Sequence, residues 1–272
     1  MEEEKDKPLL DLVDTIHLTE NISAKIHGLR DESVIFQTVS DEFAKSGRYL
    51  GTVLLLTEDG SYLKVLHSSL ESPVLEAMEK PAGMSMEQYR IDICKSTMLS
   101  QVIREGKTIR ANSDDILREM FPRPFDTALE KLMKVVSNPS LLTPLHRHGK
   151  PIGVLTMTFP SMAEHLVPFA RNLADHISSA LELADEHADR KRAEELFTTM
   201  AVNTQVGTYI AQNGVFQFVN PAFQRDIGFS ENELLGKSCL SIVHPEDREL
   251  VRNNAADMLK GTRDTGYEFR II

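Results

Sequence analysis

Thiols, imidazoles and phenols are the scarcest of the groups here that could ligate a metal, attack an electrophile or move a proton. They are few: two cysteines, nine histidines and five tyrosines. Cys94 lies in Arg90-Ile-Asp-Ile-Cys-Lys95 with a cation, Lys95, beside it that can lower a thiol's pKa, although a lone cysteine without a partner pattern reads first as structural. Cys239, in Gly236-Lys-Ser-Cys-Leu-Ser-Ile-Val243, reads as a small buried thiol filling a core. His146 and His148 alternate at a strand end and so share a face. No cysteine or carboxylate completes a ligand set there, and no metal site is expected. His244 reads as a helix-start residue. The pocket candidates are His67, Tyr89 and Cys94 in the first two-thirds, and Phe216, Phe218, Phe223, Cys239 and Ile242 near the C-terminus. Methionines such as Met84, Met86, Met98 and Met120 suit gap-filling core or pocket lining. Phosphate loops, a nucleophile elbow and kinase signatures are missing, so no catalytic residue is assigned.

Composition narrows the partners. The net charge of −11 argues against a nucleic-acid surface and against anionic membranes, both of which repel it at long range. Arg190-Lys191-Arg192 is a basic cluster, but Asp185, Glu186, Asp189, Glu194 and Glu195 surround it, and it reads as a solvated helix face. Two cysteines without metal spacing or a disulfide framework fit a reducing compartment. The acidic N-terminus is unlike a signal peptide, and the longest apolar run, Val53–Leu56, is far too short to span a bilayer. A cytoplasmic chain of two domains is expected from these features and from 272 residues.

The elements near the C-terminus carry strong local signals. Asn213-Gly214 lies between two β-rich runs and supplies the positive-φ positions of a tight hairpin. Asn220-Pro221 caps and opens a helix that Gly228 can close. Ser230 and Glu233 form a capping-box pattern ended by Gly236, and His244-Pro245-Glu246-Asp247 opens another helix. A returning β run is expected at Thr265–Ile272. This order resembles the PAS family of sensory domains, whose pattern "N-x-x-F", "G-[YF]-S-x-x-E-L-x-G" and "H-P-x-D" appears as Asn220–Phe223, Gly228–Gly236 and His244–Asp247. The resemblance covers about Thr199–Ile272. PAS domains normally continue through two further strands that these residues do not include. Cys239 sits where the flavin-binding LOV branch carries its reactive cysteine, within "G-R-N-C-R-F-L-Q". Here Lys237, Ser238, Leu240 and Val243 replace the polar flavin partners of that motif.

The first two-thirds reads as a separate α/β unit: two amphipathic helices, a hairpin about Glu58-Asp59-Gly60, a variable middle and a second hairpin about His148-Gly149-Lys150. Short helices are expected in the middle at Ser96–Arg104 and Thr127–Val136, with a strand at Thr108–Ala111. Leu142–Leu155 resembles the "P-L-x-x-x-G-x-x-I-G-V-L" hairpin of GAF domains, and Val102–Ile109 is similar to their "V-x-x-x-G-K-x-x" segment. That resemblance covers about Asp31–Asp185. It implies an antiparallel sheet with helices behind and a pocket in front for cyclic nucleotides, bilins, haem or small metabolites, or else a dimerisation and relay unit.

Between the two lies a helical stretch from Ser161, which with Glu164 forms a capping-box start. Leu166, Ala170, Leu173, Ile177, Ala180 and Ala184 follow the four-and-three rhythm of a coiled-coil seam, and Glu186 is placed to pair with Arg190. Ala-Asp-Arg-Lys-Arg-Ala-Glu-Glu-Leu resembles the connector joining sensor modules in bacterial and archaeal signalling proteins. The expected fold is α+β: an N-terminal helix over 1–30, a GAF-like domain over 31–160, a connecting and dimerising helix over 161–200, and a PAS-like domain over 201–272 with its last strands missing.

The expected function is cytoplasmic signal input and relay in a two-component protein such as a sensor histidine kinase. The coiled-coil rhythm implies a homodimer through the helix 161–200, and the resemblance implies a small-molecule ligand, with haem or flavin as cofactor candidates, and an output module beyond Ile272. The alternatives are a thiol-dependent GAF-type enzyme acting on methionine sulfoxide, or a purely dimerising protein.

Overall fold

The computed structural model describes residues 3–69, 76, 79, 85, 88–120 and 137–272. They fall into two compact units, Met1–Asp189 and Arg190–Ile272. The helix expected at Thr127–Val136 and the residues Met84 and Met86 lie outside the described residues.

In the first unit, α1 (Glu3–Ile26) and α2 (Glu32–Ser46) precede a meander of β1 (Leu50–Leu56), β2 (Tyr62–Ser68) and β3 (Arg90–Asp92). A 3₁₀ turn at Ile93–Lys95, α3 (Thr97–Glu105), β4 (Ile109–Asn112) and α4 (Ser113–Met120) follow. The hairpin of β5 (Pro139–Arg147) and β6 (Lys150–Thr158) then leads to the long helix α5 (Leu166–Asn203). The strands form one antiparallel sheet in the order β3-β2-β1-β6-β5-β4. Local chemistry explains the turns and caps. Asp31 accepts from the Val34 N–H, and Gly47 closes α2 in the left-handed region at φ 58°. His148 and Gly149 both take positive φ, 51° and 72°, as a two-residue turn between twisted strands requires.

The sheet has two differently covered faces. Val53, Leu55, Leu141, Leu145, Leu155 and Met157 pack against α1, α2 and α5. Leu54, Leu63, Val65, Ile91, Leu142 and Val154 pack with Ile93, Leu99 and Val102 and with Ile116 and Met120 of α4. The proposed coiled-coil seam is consumed in the first of these layers: Leu166, Ala170, Leu173, Ile177, Ala180 and Ala184 are all at most 6% exposed. A stripe of that rhythm covers a sheet as readily as a second helix, and here the chain's own sheet lies against it. The helix also begins at Leu166 rather than Ser161. This start places Pro168 in the first turn, where its missing N–H and its ring cost nothing.

In the second unit, β7 (Tyr209–Gln212) and β8 (Val215–Val219) form the hairpin, with Asn213 and Gly214 at φ 54° and 75°. Helices α6 (Pro221–Ile227), α7 (Glu231–Leu234) and α8 (Arg248–Leu259) follow, with 3₁₀ turns at Cys239–Ile242 and Pro245–Asp247. Gly228 closes α6 at φ 76°, and Ser230 and Glu233 complete a capping box. Two expectations fail here. Thr265–Ile272 is no strand: among the described residues it has one bridge, Ile271 to Val243, and no ladder partner. Arg270 anchors it instead, donating its backbone N–H and guanidinium to Asp247, whose carboxyl those bonds hold down to about 2. Arg190 pairs with Glu194 at 3.6 Å rather than with Glu186, and Lys191 with Glu195 at 3.8 Å. Among the described residues, no helix is long and apolar enough to cross a membrane.

Candidate functional site

The face of the sheet shared by Leu54, Leu142 and Val154 has an apolar half and a hydroxyl half. Cross-strand register places Ser68 opposite Thr52, Thr52 opposite Thr156, and Ser140 opposite Thr158. Residues in direct register point the same way, and Leu142 opposite Thr156 fixes the side. Five hydroxyls from four neighbouring strands therefore share this face. Thr52 and Ser68 lie 2.9 Å apart, Ser140 and Thr158 2.8 Å apart, and Thr156 donates to the Thr52 carbonyl at 3.2 Å. A hydroxyl carries one donor and two acceptor lone pairs. The O–H of Thr156 and one O–H of each pair are engaged within the sheet; Ser140 is fully buried, and Thr52, Thr156 and Thr158, each partly exposed, keep acceptor lone pairs. The sequence reading missed these residues, because threonine alternating with leucine in a strand is also ordinary β-forming chemistry.

The structure divides the first set of pocket candidates. Tyr89 packs on the hydroxyl-bearing face and donates its phenol to the Met120 carbonyl at 3.1 Å; burial pushes that phenol up. His67 stands in register with Val53, which belongs to the opposite face, the one covered by α1, α2 and α5. Cys94 is exposed on the turn after β3. Its sulfur accepts from Arg104 Nη2 at 3.6 Å, while Lys95, the cation adjacent in sequence, pairs with Asp92 at 3.4 Å. Arg104 is invisible as a neighbour in the sequence because one turn and a helix bring it back.

The second set is mostly brought together. Phe216 and Ile242 are buried with Val219, Leu234 and Val243, and Phe223 and Cys239 pack against them. Tyr209, not foreseen, completes an aromatic group with Phe216 and Phe223 at centroid distances of 5.4 and 5.0 Å. Phe218 stands apart, in a tilted ring contact with Phe197 of α5 at 5.6 Å between centroids. Burial pushes the Cys239 thiol up. Ellman's reagent is therefore expected to label one thiol at once and the second about tenfold more slowly or worse, with only the slow phase left in Cys94→Ser. Equal rates would contradict this assignment. Among the described residues, no group of three or more His, Cys, Asp or Glu is placed to hold a metal ion.

A family model described as GAF domain matches residues 30–182, more than half of the chain. The chain belongs to the GAF domain family. The GAF domain is followed by a second module, for residues 216–272 match the family described as PAS fold. Both are sensory domains. Solved structures similar to this GAF chain include a methyl-accepting chemotaxis protein, at 14% identity over 62% of this chain and 98% of that one, TM-score 0.46. The free methionine-R-sulfoxide reductase of Neisseria meningitidis matches at 15% identity over 64% and 91%, TM-score 0.45. The Escherichia coli DhaR(N)–DhaL complex matches at 13% over 85% and 76%, TM-score 0.48.

Proposed function

We propose that this chain is the signal-input and relay region of a cytoplasmic two-component protein, with a small molecule as input and an output module outside these residues. One observation carries the reading: α5 runs unbroken from Leu166 to Asn203 and is held at both ends. Its first half is buried on the GAF sheet. Near its other end, the carbonyl of Ala201 accepts a hydrogen bond from the buried Asn220 amide of the PAS unit. Between them, Ala188–Met200 is exposed throughout. Homodimerisation is assigned to this exposed stretch, where Leu196 and Met200, one turn apart, are 58% and 74% exposed. The hydroxyl face, with acceptor lone pairs on Thr52, Thr156 and Thr158, favours a ligand that presents N–H groups, such as a nucleobase edge.

Adenine, cyclic AMP, cyclic GMP, haemin and methionine sulfoxide form the test panel. The expected result is that a base-bearing compound raises the melting temperature and alters hydrogen exchange in residues 204–272. Ala193→Pro, which breaks α5 in its exposed stretch, is expected to keep binding and lose the effect on the second unit. Binding that never reaches residues 204–272 would refute the relay. Thiol-dependent turnover of methionine sulfoxide, lost in Cys94→Ser, would establish the enzyme alternative instead.

A further inference from the structure

The tip of the β5–β6 hairpin grips α5 at three successive positions. The His146 N–H donates to Ser178 Oγ at 3.0 Å, and the His148 N–H donates to Glu182 Oε1 at 2.7 Å. His148 Nε2 lies 3.2 Å from Asp185 Oδ2. Arg147, between them in sequence, places Nε 3.2 Å from the same Asp185 oxygen and Nη2 2.7 Å from Glu32 Oε2 at the start of α2. Three consecutive residues, the last two of β5 and the first of the turn, thus reach positions 178, 182 and 185, about one helical turn apart, on one stripe of α5.

Location gives this contact its meaning. Ala184 is the last α5 residue of the first unit's core, and Ala188–Met200 is exposed throughout. The grip therefore sits where the helix leaves the sheet. The same two strands carry Ser140, Leu142, Thr156 and Thr158 of the hydroxyl-bearing face. Their turn is short: His148 and Gly149, both at positive φ, are its two central residues.

We infer that this tip is the coupling contact of the sensor: a change of β5 and β6 at the ligand face is passed to α5 through Arg147, His148, Glu182 and Asp185. The inference rests on the relay reading above and assigns that relay to these four residues.

Hydrogen exchange on the intact chain tests it in two arms. In the first, Arg147→Gln and, separately, the near-isosteric Asp185→Asn are expected to speed exchange of amides 182–189 about tenfold, with amides 166–177 changed less than about twofold. Glu32→Gln removes only the α2 arm and is expected to leave α5 as it was. Unchanged exchange at 182–189 in both tip variants, or a uniform rise along α5, overturns the inference. In the second arm, Thr156→Val on the sheet face is expected to shift exchange at 186–200 in the wild-type background and not in Asp185→Asn. A shift that survives in Asp185→Asn overturns the coupling role, because the route then bypasses the tip. If Thr156→Val moves nothing in the wild-type background, the relay itself falls, and the first arm still reports separately whether the tip holds the helix.

Discussion

Asn220→Ala is expected to unfold the C-terminal unit at temperatures where the N-terminal unit stays folded. Asn220 is fully buried, and its side-chain amide makes four hydrogen bonds. Oδ1 accepts from the N–H groups of Thr208 and Phe223, both at 2.8 Å, while Nδ2 donates to the carbonyls of Ala201 at 3.0 Å and Val206 at 2.9 Å. One side chain thus caps α6, fixes the entry to β7 and ties down the end of α5. Truncation removes the cap, worth about 1 kcal/mol, strands the buried Ala201 carbonyl at about 1–3 kcal/mol, and loses two part-buried hydrogen bonds, to Thr208 and Val206, at about 0.5 kcal/mol each, so about 3–5 kcal/mol in all. A small domain is stable by about 5–15 kcal/mol, and a loss of that size lowers the melting temperature of a unit this small by about 15 °C or more. Scanning calorimetry reads the result as two separated transitions. Asn220→Asp decides between a cap and a hub. Aspartate caps as well as asparagine, but it has no donors for Ala201 and Val206 and would bury a charge against their carbonyls. A hub requires the aspartate variant to fail like alanine; wild-type stability in Asn220→Asp would reduce Asn220 to a cap.

Gly153→Ala is expected to be comparably severe for the N-terminal unit. Gly153 faces Leu55 across β1 and Leu145 across β5, inside the sheet. A Cβ there would stand 2.1 Å from the Leu54 carbonyl oxygen and 2.9 Å from Leu55 Cδ2. The first clash is with backbone that is itself part of the β1–β6 ladder, so relief means separating the strands. A cost of about 3 kcal/mol or more follows, at the high end for overpacking. Gly51→Ala is the instructive comparison, because the three atoms nearest its Cβ all belong to the Phe43 ring, at 2.5–2.9 Å. Trimming Phe43 to leucine is expected to recover part of the loss in Gly51→Ala, whereas Leu55→Ala recovers little in Gly153→Ala. Urea unfolding of the four variants checks both statements. Full recovery of Gly153→Ala by Leu55→Ala would show that the side chain, not the carbonyl, sets the constraint.

Features coded within a few residues were legible in the sequence. Asn213-Gly214, Asn220-Pro221, Gly228 and the Ser230–Glu233 box each specify a turn or cap by their own φ preferences and side-chain acceptors, and the folded chain uses all of them. The order of these signals, with the motifs around Leu142–Leu155, was enough to identify GAF followed by PAS.

What lay beyond the sequence were choices made between distant segments. Strict alternation along β2 puts His67 with Leu63 and Val65, but an irregularity between Val53 and Leu54 shifts the register and moves it to the other face. The period of α5 announced an apolar stripe without saying whether a second helix or the chain's own sheet would cover it. Arg104 at Cys94, Phe197 on Phe218 and the hairpin tip on Asp185 are pairs separated by a turn, a strand or a whole helix. Local preference decides where a chain turns and where a helix starts. Which buried face meets which is decided only when all the layers compete for the same apolar surface, and that competition is a property of the folded molecule.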